Sequence, residues 1–487
     1  MNEVVDEIYE NETAEELYER IQREKERLIS EGKLKKQKKL PEISEDEIPF
    51  EIPKSWKWVR LESIVLNIST NGKQIQQKEI LKTGKIPVIS QSLNMIEGFS
   101  NDENKIIDIN SEPVIIFGDH SKTLKFVDFN FIVGADGTKI LKPMGHMNEK
   151  CLYYFLKYNV HDIENRGYSR YFRFLREKFI PLPPLSEQKR ISELIDRLFE
   201  KLDEVKEKAI SALNTFELRK AKILHLAIQG KLSKQLDEYE TSEELYEKIQ
   251  IEKEKLISEE KFKKQKKLPE ISQDEIPFEI PKSWKWVRLG ELSDTKDNSF
   301  ADGPFGSNLK KEHYINEPEV RIIQISNIGE EGWKNENVKY TSFIHAETIK
   351  RSMVSCGDIV ITKMMPAGRA IQVPDIEKNY ILSSDVIKFV PHPLINRKYL
   401  LYSINSNVFK NQIYDEVQGI TRVRTSLMKI KSYLIPLPPL EEQKEIVDIL
   451  DNIFEKEEKA KKLIESILNK IELIKKSILA RAVRGKI

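Results

Sequence analysis

Two long stretches of the chain repeat apolar residues at alternating spacings of mostly four and three positions. In the first stretch these residues are Ile191, Ile195, Leu198, Leu202, Val205, Ala209, Ala212 and Phe216. In the second they are Ile446, Leu450, Ile453, Ala460, Ile464, Ile467, Ile471, Ile474 and Ile478, with Glu457 as a polar interruption. This rhythm predicts one apolar seam along a helix. Each helix would span roughly 65 Å at about 1.5 Å per residue, so we expect the two helices to cover each other's seams.

The chain is a tandem duplication. The segment Asp46-Glu-Ile-Pro-Phe-Glu-Ile-Pro-Lys-Ser-Trp-Lys-Trp-Val-Arg-Leu61 returns unchanged from Asp274. Before each long helix stands the same proline-rich element, first Ile180-Pro-Leu-Pro-Pro-Leu-Ser-Glu-Gln and then Ile435-Pro-Leu-Pro-Pro-Leu-Glu-Glu-Gln. The offset grows from 228 to 255, so the second copy carries 27 more residues (255 − 228) between these elements. The like segments are interpreted as a scaffold, and the unlike segments, 62–178 and 290–433, as two separate recognition domains.

Both unlike segments have the pattern of mixed α/β domains. Apolar runs bounded by turn residues predict strands in the first segment at 86–90, 113–117, 125–129 and 131–133, and a helix follows at 148–158. The second segment has predicted strands at 320–325, 358–362 and 386–390 and a helix at 396–406. The predicted fold class is therefore α+β, with two mixed α/β domains joined by a pair of long helices.

Each copy also begins with a short helix. Thr13 and Glu16 form a capping box for a helix from Ala14, Gly32 is placed to end it, and Thr241 and Glu244 repeat the cap. A lysine-rich run follows at 33–39 and again at 261–267. A solvated helix with a basic tail explains this pattern, and docking to a partner or contact with phosphate stays open beside it. The prolines keep the next segment extended, and we expect Trp56 and Trp58 to pin it to the domain that follows.

Polar loops at corresponding places in both domains carry the side chains that read base edges. Arginine and lysine suit guanine, asparagine and glutamine suit adenine, and serine, threonine and lysine suit phosphate. In the first domain the candidate DNA-binding residues are Asn71, Lys73, Gln74, Gln91, Asn94, Arg166, Tyr168, Ser169, Arg170 and Arg173. In the second domain they are Ser307, Asn308, Lys310, Lys311, Gln418, Thr421, Arg422 and Arg424.

Composition narrows the class of protein without choosing the partner. The 487 residues are 39% hydrophobic and 33% charged, and the formal net charge of +1 neither demands nor excludes nucleic acid. Because no apolar run reaches the length of a membrane span and the start lacks a signal-peptide pattern, we expect a cytoplasmic protein with no membrane partner. Cys151 and Cys356, the two cysteines, lack a metal-ligand spacing and are expected to be buried thiols.

Motifs for catalysis are absent from the sequence. It has no Asn/Asp-Pro-Pro-Tyr/Phe element, no phosphate-binding glycine loop and no His-Glu-x-x-His. Pro374-Asp375 with Glu377-Lys378 suggests a nuclease set only weakly, because the Glu and the Lys are adjacent. Asp119 and His120 could form an acid/base pair, but a turn after the preceding strand is the favoured interpretation. We therefore predict a chain without a catalytic or metal site.

The order of these motifs resembles the specificity subunit of type I restriction-modification systems. The resemblance rests on Pro-Lys-Ser-Trp-Lys-Trp-Val-Arg-Leu, a variable domain closing with Gly-x-Ser/Thr-Arg, Ile-Pro-Leu-Pro-Pro-Leu-x-Glu-Gln, and a long helix ending in Ala-x-x-Gly-Lys-Leu/Ile. It covers essentially the whole chain, in both halves. It implies two target-recognition domains held apart by antiparallel helices, each domain reading one half of a split sequence in double-stranded DNA.

The resemblance also implies partners. Two methyltransferase subunits would carry S-adenosylmethionine and methylate adenine, while restriction subunits with a motor and a nuclease, using ATP and Mg²⁺, would join for cleavage. This chain itself would bind no cofactor. A coiled-coil adaptor that binds only proteins is the alternative, but it leaves unexplained why two diverged domains keep amide-rich loops in register.

The expected domain order follows the duplication. An N-terminal helix with its basic linker at 1–53 duplicates 229–281, and recognition domains at 54–180 and 282–435 precede the long helices at 181–232 and 436–487. A helical linker at 233–281 joins the halves. If the helices pack antiparallel, the arrangement is a pseudo-two-fold ring cut open once, so we expect the two termini to lie close together, with Ile487 near the N-terminal helix.

Overall fold

A computed structural model describes residues 11–35, 41–134, 137–165, 167, 169–234, 240–261, 266–415 and 424–487. The chain divides into two compact units, one formed by Met1–Ile210 with Ile464–Ile487 and the other by Ser211–Leu463. Besides short 3-10 turns, the elements up to the first long helix are α1 (Ala14–Ser30), β1 (Lys57–Arg60), α2 (Leu61–Ile64), β2 (Val65–Ile68), β3 (Ile86–Ile89), β4 (Gly98–Ser100), β5 (Val114–Gly118), β6 (Leu124–Val127), β7 (Ile132–Val133), β8 (Thr138–Pro143), α3 (Glu149–His161), α4 (Phe172–Arg176), β9 (Phe179–Leu182) and α5 (Leu185–Ile228).

The second half repeats this order with insertions. Its elements are α6 (Ser242–Ser258), β10 (Lys285–Arg288), β11 (Phe300–Asp302), β12 (Tyr314–Ile315), β13 (Val320–Ile323), β14 (Tyr340–Thr341), α7 (Phe343–Thr348), β15 (Met353–Val354), β16 (Ile359–Thr362), β17 (Ala370–Gln372), β18 (Tyr380–Leu382), β19 (Val386–Phe389), α8 (Arg397–Asn405), α9 (Asn407–Asp415), α10 (Leu427–Ser432), β20 (Leu434–Leu437) and α11 (Leu440–Ala482).

The two units share a sheet topology although their domain sequences differ. In the first unit an antiparallel sheet has the order β2-β8-β5-β6, and a second sheet, β4-β3-β7, contains the parallel pair β3 and β7. The second unit has an antiparallel sheet of order β11-β19-β16-β17 and a five-stranded sheet, β12-β14-β13-β18-β15, with β13 parallel to β18. This confirms the predicted mixed α/β class.

The predicted elements formed where apolar runs were strong. Every strand predicted from those runs corresponds to an observed one, and Asn148 and Asn396 cap the two predicted domain helices. Thr13 and Thr241 form the predicted capping boxes, and Gly32 follows the end of α1 with a φ of 70°. Strands β2 and β8 were not predicted, because each has only a few apolar residues between polar ones.

The duplicated motifs contact each other. In each unit the Trp-Lys-Trp strand pairs antiparallel with the Ile-Pro-Leu strand, β1 with β9 and β10 with β20. Trp56 Nε1 donates to Glu187 at 2.6 Å, and Trp284 Nε1 donates to Glu442 at 2.7 Å. The tryptophan is thus pinned to the first turn of the long helix, which explains why both motifs recur together.

Each unit also contains the start of one long helix and the end of the other. In the first unit, Leu17 of α1 and Ile191 at the start of α5 share a core with Leu479 and Ala482 of α11. Ile487 packs against the same core as Leu17 and Ile21 of α1, as expected; the first ten residues, on which the closeness of the two termini depends, lie outside the described residues.

The second unit repeats this arrangement with the other two helix ends. Leu245 of α6 shares a core with Leu224 and Ile228 of α5 and with Ile446 and Leu450 of α11. In this unit the last turn of α5 occupies the place that the last turn of α11 occupies in the first.

The helices are antiparallel within each unit. In the first unit Asp203 pairs with Lys475, and Lys206 pairs with Glu472 at 2.8 Å, so residue numbers rise on one helix as they fall on the other. In the second unit Arg219 pairs with Glu457 at 2.9 Å, and the next residue, Lys220, lies over the ring of Phe454 at 5.6 Å.

Two sequence expectations were wrong in detail. The seam is not covered along its whole length, since Val205 is 46% exposed and Ile474 is 45% exposed. The ion pairs between charged side chains replace apolar contact between the helices there. Cys151 is buried as expected, but Cys356 is exposed because it lies in the turn between β15 and β16.

Candidate nucleic-acid interface

Gln91 lies at a junction of three loops in the first unit. Its side-chain Oε1 accepts the backbone N–H of His120 at 3.1 Å, and the ring nitrogen Nδ1 of His120 lies 3.1 Å from the carbonyl oxygen of Ser169. Gln91 follows β3, His120 follows β5, and Ser169 precedes α4. The structure therefore brings the predicted residues Gln91 and Ser169 together through a turn that was not among the predicted DNA-binding loops.

Asp119 fixes the position of the late basic segment. Its carbonyl accepts the N–H of Tyr171 at 2.7 Å, and its carboxylate accepts the N–H of Phe172 at 2.8 Å. Asp119 is only 5% exposed. The backbone of residues 118–123 forms a turn, in which Gly118 donates to the carbonyl of Thr123. Asp119 thus anchors the segment that carries Arg170 and Arg173, which confirms the turn interpretation over an acid/base pair.

Other predicted residues of the first unit divide between exposed positions and loop supports. Asn71, Asn94, Arg170 and Arg173 are exposed. Lys73 donates to the carbonyl of Asn104 at 2.6 Å and Gln74 to the hydroxyl of Thr70 at 3.2 Å, so both hold loops in place. The backbone of Gln74 also forms an isolated parallel β-bridge with Val133, which pairs with Ile89 in the sheet. The loop before Gln74 and the loop after β3 therefore begin at the same sheet.

The loop after β3 has a support that the sequence analysis missed. Lys125 is 6% exposed, and its ammonium donates to the carbonyl of Ser90 at 2.8 Å and to that of Asn94. Burial lowers the pKa of Lys125, and nearby Glu97 opposes this shift. Lys125 shares the inward face of β6 with Val127, so a lysine in an apolar alternation was the available signal. Asn94 is thereby presented on an anchored loop.

In the second unit, residues 303–311 present the predicted polar side chains. Ser307, Asn308, Lys310 and Lys311 are all exposed. The side-chain oxygen of Asn308 accepts from the Ser307 hydroxyl at 3.2 Å, and the backbone carbonyl oxygen of Asn308 lies 2.9 Å from Nε2 of His345. These contacts hold the turn and leave Lys310 and Lys311 at its surface.

A chain of polar contacts connects Arg424 with Asp302, which stands just before the loop at residues 303–311. Arg424 pairs with Asp385 at 3.2 Å, and Lys363 pairs with Asp302 at 2.7 Å. Lys363 also donates its N–H to the carbonyl of Asp385 at 2.9 Å. The polar loop after β16, which contains Lys363, was not predicted, although its basic residues between two strands, with a proline and a glycine, gave a signal.

The late segments of the two units attach in the same way. The backbone N–H of Tyr171 donates to the backbone carbonyl of Asp119 at 2.7 Å, and the backbone N–H of Thr425 donates to the backbone carbonyl of Lys363 at 2.9 Å. Asp119 and Lys363 each follow the third strand of the four-stranded sheet, β5 or β16. Arg170 and Arg424 each precede the attached residue, whereas the motif Gly-x-Ser/Thr-Arg pairs Arg170 with Arg422. The predicted residues Arg166, Tyr168, Gln418, Thr421 and Arg422 lie outside the described residues.

The described residues contain no group of three or more histidine, cysteine, aspartate or glutamate side chains placed to hold a metal ion. Within the same part of the chain, none of the helices is both long and apolar enough to cross a bilayer. The geometry that the two units share is thus an exposed arginine on an anchored loop, beside other polar loops.

Comparison with known proteins identifies a family. The family model for the type I restriction modification DNA specificity domain matches residues 53–215 and 281–471. The specificity subunit of the type I restriction enzyme EcoAI from Escherichia coli is 28% identical over 526 residues, covering 94% of this chain and 87% of that protein. The corresponding EcoEI subunit from the same organism is 25% identical over 538 residues, with the same coverage.

Solved structures agree with the fold. A chain from a study of complex assembly and conformational transition in the type I R-M system has a TM-score of 0.59 at 19% identity, covering 90% of this chain and all of that one. The HsdS subunit from Thermoanaerobacter tengcongensis has a TM-score of 0.53 at 18% identity, with 90% and 99% covered. Since the family model covers most of both halves, the chain belongs to the family of type I restriction-modification DNA specificity subunits.

Proposed function

We propose that each recognition domain of this specificity subunit reads one half of a split DNA target and that the long helices set the unread gap. The observation that carries this proposal is the shared attachment, through Tyr171 and Thr425, of the basic segments that contain Arg170 and Arg424, on domains whose loops otherwise differ. Because the segments are attached alike, both domains can dock on DNA in the same geometry. Because the loops differ, the two domains can read different base sequences. An arginine that reaches the major groove donates to guanine, and neighbouring amide side chains suit adenine.

We propose that the candidate residues divide into two classes. Exposed side chains such as Asn94, Arg170 and Lys311 meet DNA, while Lys73 and Gln91, whose side chains already hold other loops, position them. Contacts to phosphate fix the register of the domain, and contacts to base edges supply the sequence preference. This division gives each class a different mutational signature.

The chemistry belongs to partner subunits in this proposal. Two methyltransferase subunits dock on the long helices, where Leu218 and Leu463 of the second unit and Leu473 of the first are 73%, 61% and 63% exposed. Exposed apolar side chains on a helix favour a protein partner. These subunits bring S-adenosylmethionine, and the restriction subunits bring ATP and Mg²⁺. We propose that the complex acts in the cytoplasm, where it meets incoming DNA.

The function is tested by co-expressing the chain with the methyltransferase subunit encoded beside it and mapping methylated bases across a genome. The proposal predicts methyladenine in one motif of two short blocks separated by a fixed gap. A stable complex with random methylation, or with none, would contradict it and favour a protein-binding adaptor.

Substitution of one arginine at a time assigns the blocks. Arg170→Ala is expected to relax the preference in one block and Arg424→Ala in the other, each weakening target binding by about 1–3 kcal/mol if the side chain reads a base. Lys85→Ala removes an exposed charge of the first unit outside these loops and should leave the motif unchanged. If both arginine variants altered the same block, the assignment of one block per domain would be wrong.

A further inference from the structure

The second unit contains a cavity that the proposed recognition of DNA does not use. Its volume is about 500 Å³, which lies within the usual range for small-molecule sites. Apolar and aromatic side chains line much of it, including Leu224, Leu401, Tyr402 and Phe454. The cavity therefore has room and apolar surface for an organic molecule.

Three positively charged side chains converge on this cavity. Lys220, Arg369 and Lys410 all line it. The ammonium group of Lys410 has no hydrogen-bond or ion-pair partner in the part of the chain that the structure describes, and it is half-buried. Burial lowers the pKa of Lys410, and the nearby charges of Arg369 and Lys220 add to this effect while Glu330 opposes it. The carboxylates of Glu217, Glu330 and Glu331 also line the cavity, and Glu330 is the one that acts on Lys410.

The other two acidic residues of the cavity, Glu217 and Glu331, interact with Lys461, which does not line the cavity. Glu331 accepts from Lys461 at 3.0 Å, and Glu217 also interacts electrostatically with Lys461. Glu330 lies 3.8 Å from Arg369, a loose ion pair. An anion inside the cavity would relieve the repulsion among the three positive groups, which are less strongly screened there than at the surface.

The first unit shows the same construction in a neutralised form. Lys475 lies over the ring of Phe199 at 5.0 Å, as Lys220 lies over Phe454 at 5.6 Å, and both pairs are separated by the duplication offset of 255 (475 − 220 and 454 − 199). There, however, Asp203 pairs with Lys475. The half-buried Lys157 is balanced by the same Asp203 together with Glu472. In the second unit, by contrast, Lys220 has no ion-pair partner among the described residues and interacts with Glu331 only at longer range.

We propose that this cavity binds a phosphate ester of mononucleotide size, with its phosphate between Lys220, Arg369 and Lys410 and its ring against Tyr402 and Phe454. Phosphate matches this set of donors because arginine and lysine form their strongest hydrogen bonds with anionic oxygens. Aromatic side chains bind nucleobases by stacking, independently of base identity. A free nucleotide and a terminal nucleotide of a DNA strand share this chemistry, and the experiment distinguishes them.

The test is isothermal titration calorimetry of the full chain with AMP. The proposal predicts saturable binding, binding of adenosine at least tenfold weaker because it lacks phosphate, and at least tenfold weaker AMP binding by Lys410→Met. Lys157→Met, the matched lysine change in the first unit, should bind AMP as the unchanged chain does. No heat of binding at millimolar AMP, or equal losses in both methionine variants, would overturn the proposal.

A single-stranded oligonucleotide with a 5′-phosphate identifies the source of the ligand. If it displaces AMP and its own affinity falls at least tenfold in Lys410→Met, the natural ligand is a strand terminus; if it does not compete, the ligand is a free nucleotide. If Lys410→Met does not fold, as judged by circular dichroism, Lys220→Met serves as the cavity variant. The result is independent of the methylation motif, so failure here leaves the proposed function standing.

Discussion

At the scale of single residues, the duplicated hydrogen bond between tryptophan and glutamate ties each domain to its helix. In the second unit Glu442 is 1% exposed and accepts from Trp284 at 2.7 Å, with Ser283 and Ser233 at 3.4 Å. Burial raises the pKa of Glu442 and the donated hydrogen bonds oppose the rise. The folded state therefore favours the protonated carboxyl more than the unfolded chain does.

This shift predicts a pH dependence of stability. Because the folded pKa of Glu442 is above its unfolded value of about 4.3, its contribution to stability is complete below that value and is lost as pH rises through the folded pKa. Glu442→Gln keeps an acceptor for Trp284 but does not titrate. We expect the stability of wild type relative to this variant to fall with rising pH in the range just above pH 4, by at most about 1.4 kcal/mol per pH unit. Urea unfolding followed by circular dichroism measures it, and parallel stability curves would contradict the assignment.

At the scale of elements, the end of each long helix closes against the duplicated proline-tryptophan segment. Gly230 ends α5 with a φ of 69°, and a Cβ there would lie 2.5 Å from Cγ of Pro281. Gly485 ends α11 with a φ of 64°, and its Cβ would lie 2.4 Å from Cγ of Pro53. Both the left-handed backbone and the close ring require glycine, since other residues are strained in this conformation.

Alanine substitution at these glycines distinguishes the cost of backbone strain from the cost of a steric clash with proline. We expect Gly230→Ala and Gly485→Ala each to lower the free energy of unfolding by about 2–4 kcal/mol, because backbone strain of about 1–2 kcal/mol and a steric clash add together. Gly32→Ala is the control, since Gly32 has a φ of 70° and nothing within 4 Å of a Cβ. It should lose only the strain. Equal losses in chemical denaturation at all three positions would show that the contact with proline is unimportant.

The same scale shows what the sequence could predict. The long helices, caps and central strands followed from periodicity, because such patterns depend on neighbours a few residues away. The residues that anchor the loops did not follow from periodicity. Asp119 accepts a hydrogen bond from Phe172, 53 residues later, and Lys363 accepts one from Thr425 across a similar separation. Such contacts depend on the tertiary fold. Lys125 is intermediate, since its alternation with Val127 placed it on the buried face of β6.

At the scale of the whole molecule, each unit combines the start of one long helix with the end of the other. The end of α11 packs in the first unit with the segment containing Trp56, as the end of α5 packs in the second with the segment containing Trp284. Ile487 and Leu232, which follow the two helix ends at the duplication offset of 255 (487 − 232), therefore pack against corresponding cores. This relation explains why the first 53 residues duplicate a linker.

A circular permutant tests this relation. Ile487 is joined to Met1 through a flexible glycine-serine linker, and new termini are placed between Lys234 and Glu240. Because every core contact of the two units is kept, we expect the permutant to assemble with the methyltransferase subunit and methylate the wild-type motif. New termini between Val114 and Gly118, inside a buried strand, give the control that should not fold. Loss of assembly in the first permutant alone would contradict the ring arrangement.

The central claim, that two domains read separate blocks while the helices set their spacing, is tested most directly by changing helix length and mapping methylation. Four residues are inserted in each helix, after Ile210 and after Leu463, adding about 6 Å and a net rotation of about 40°. One base pair adds about 3.4 Å and about 35°. The added rotation matches one base pair, while the added length lies between one and two, so we predict unchanged blocks and a gap longer by one base pair, which keeps each domain facing its groove. Three inserted residues rotate about 60° in the opposite sense and should abolish methylation of the motif. An unchanged gap in the four-residue variant, or altered blocks, would contradict the account.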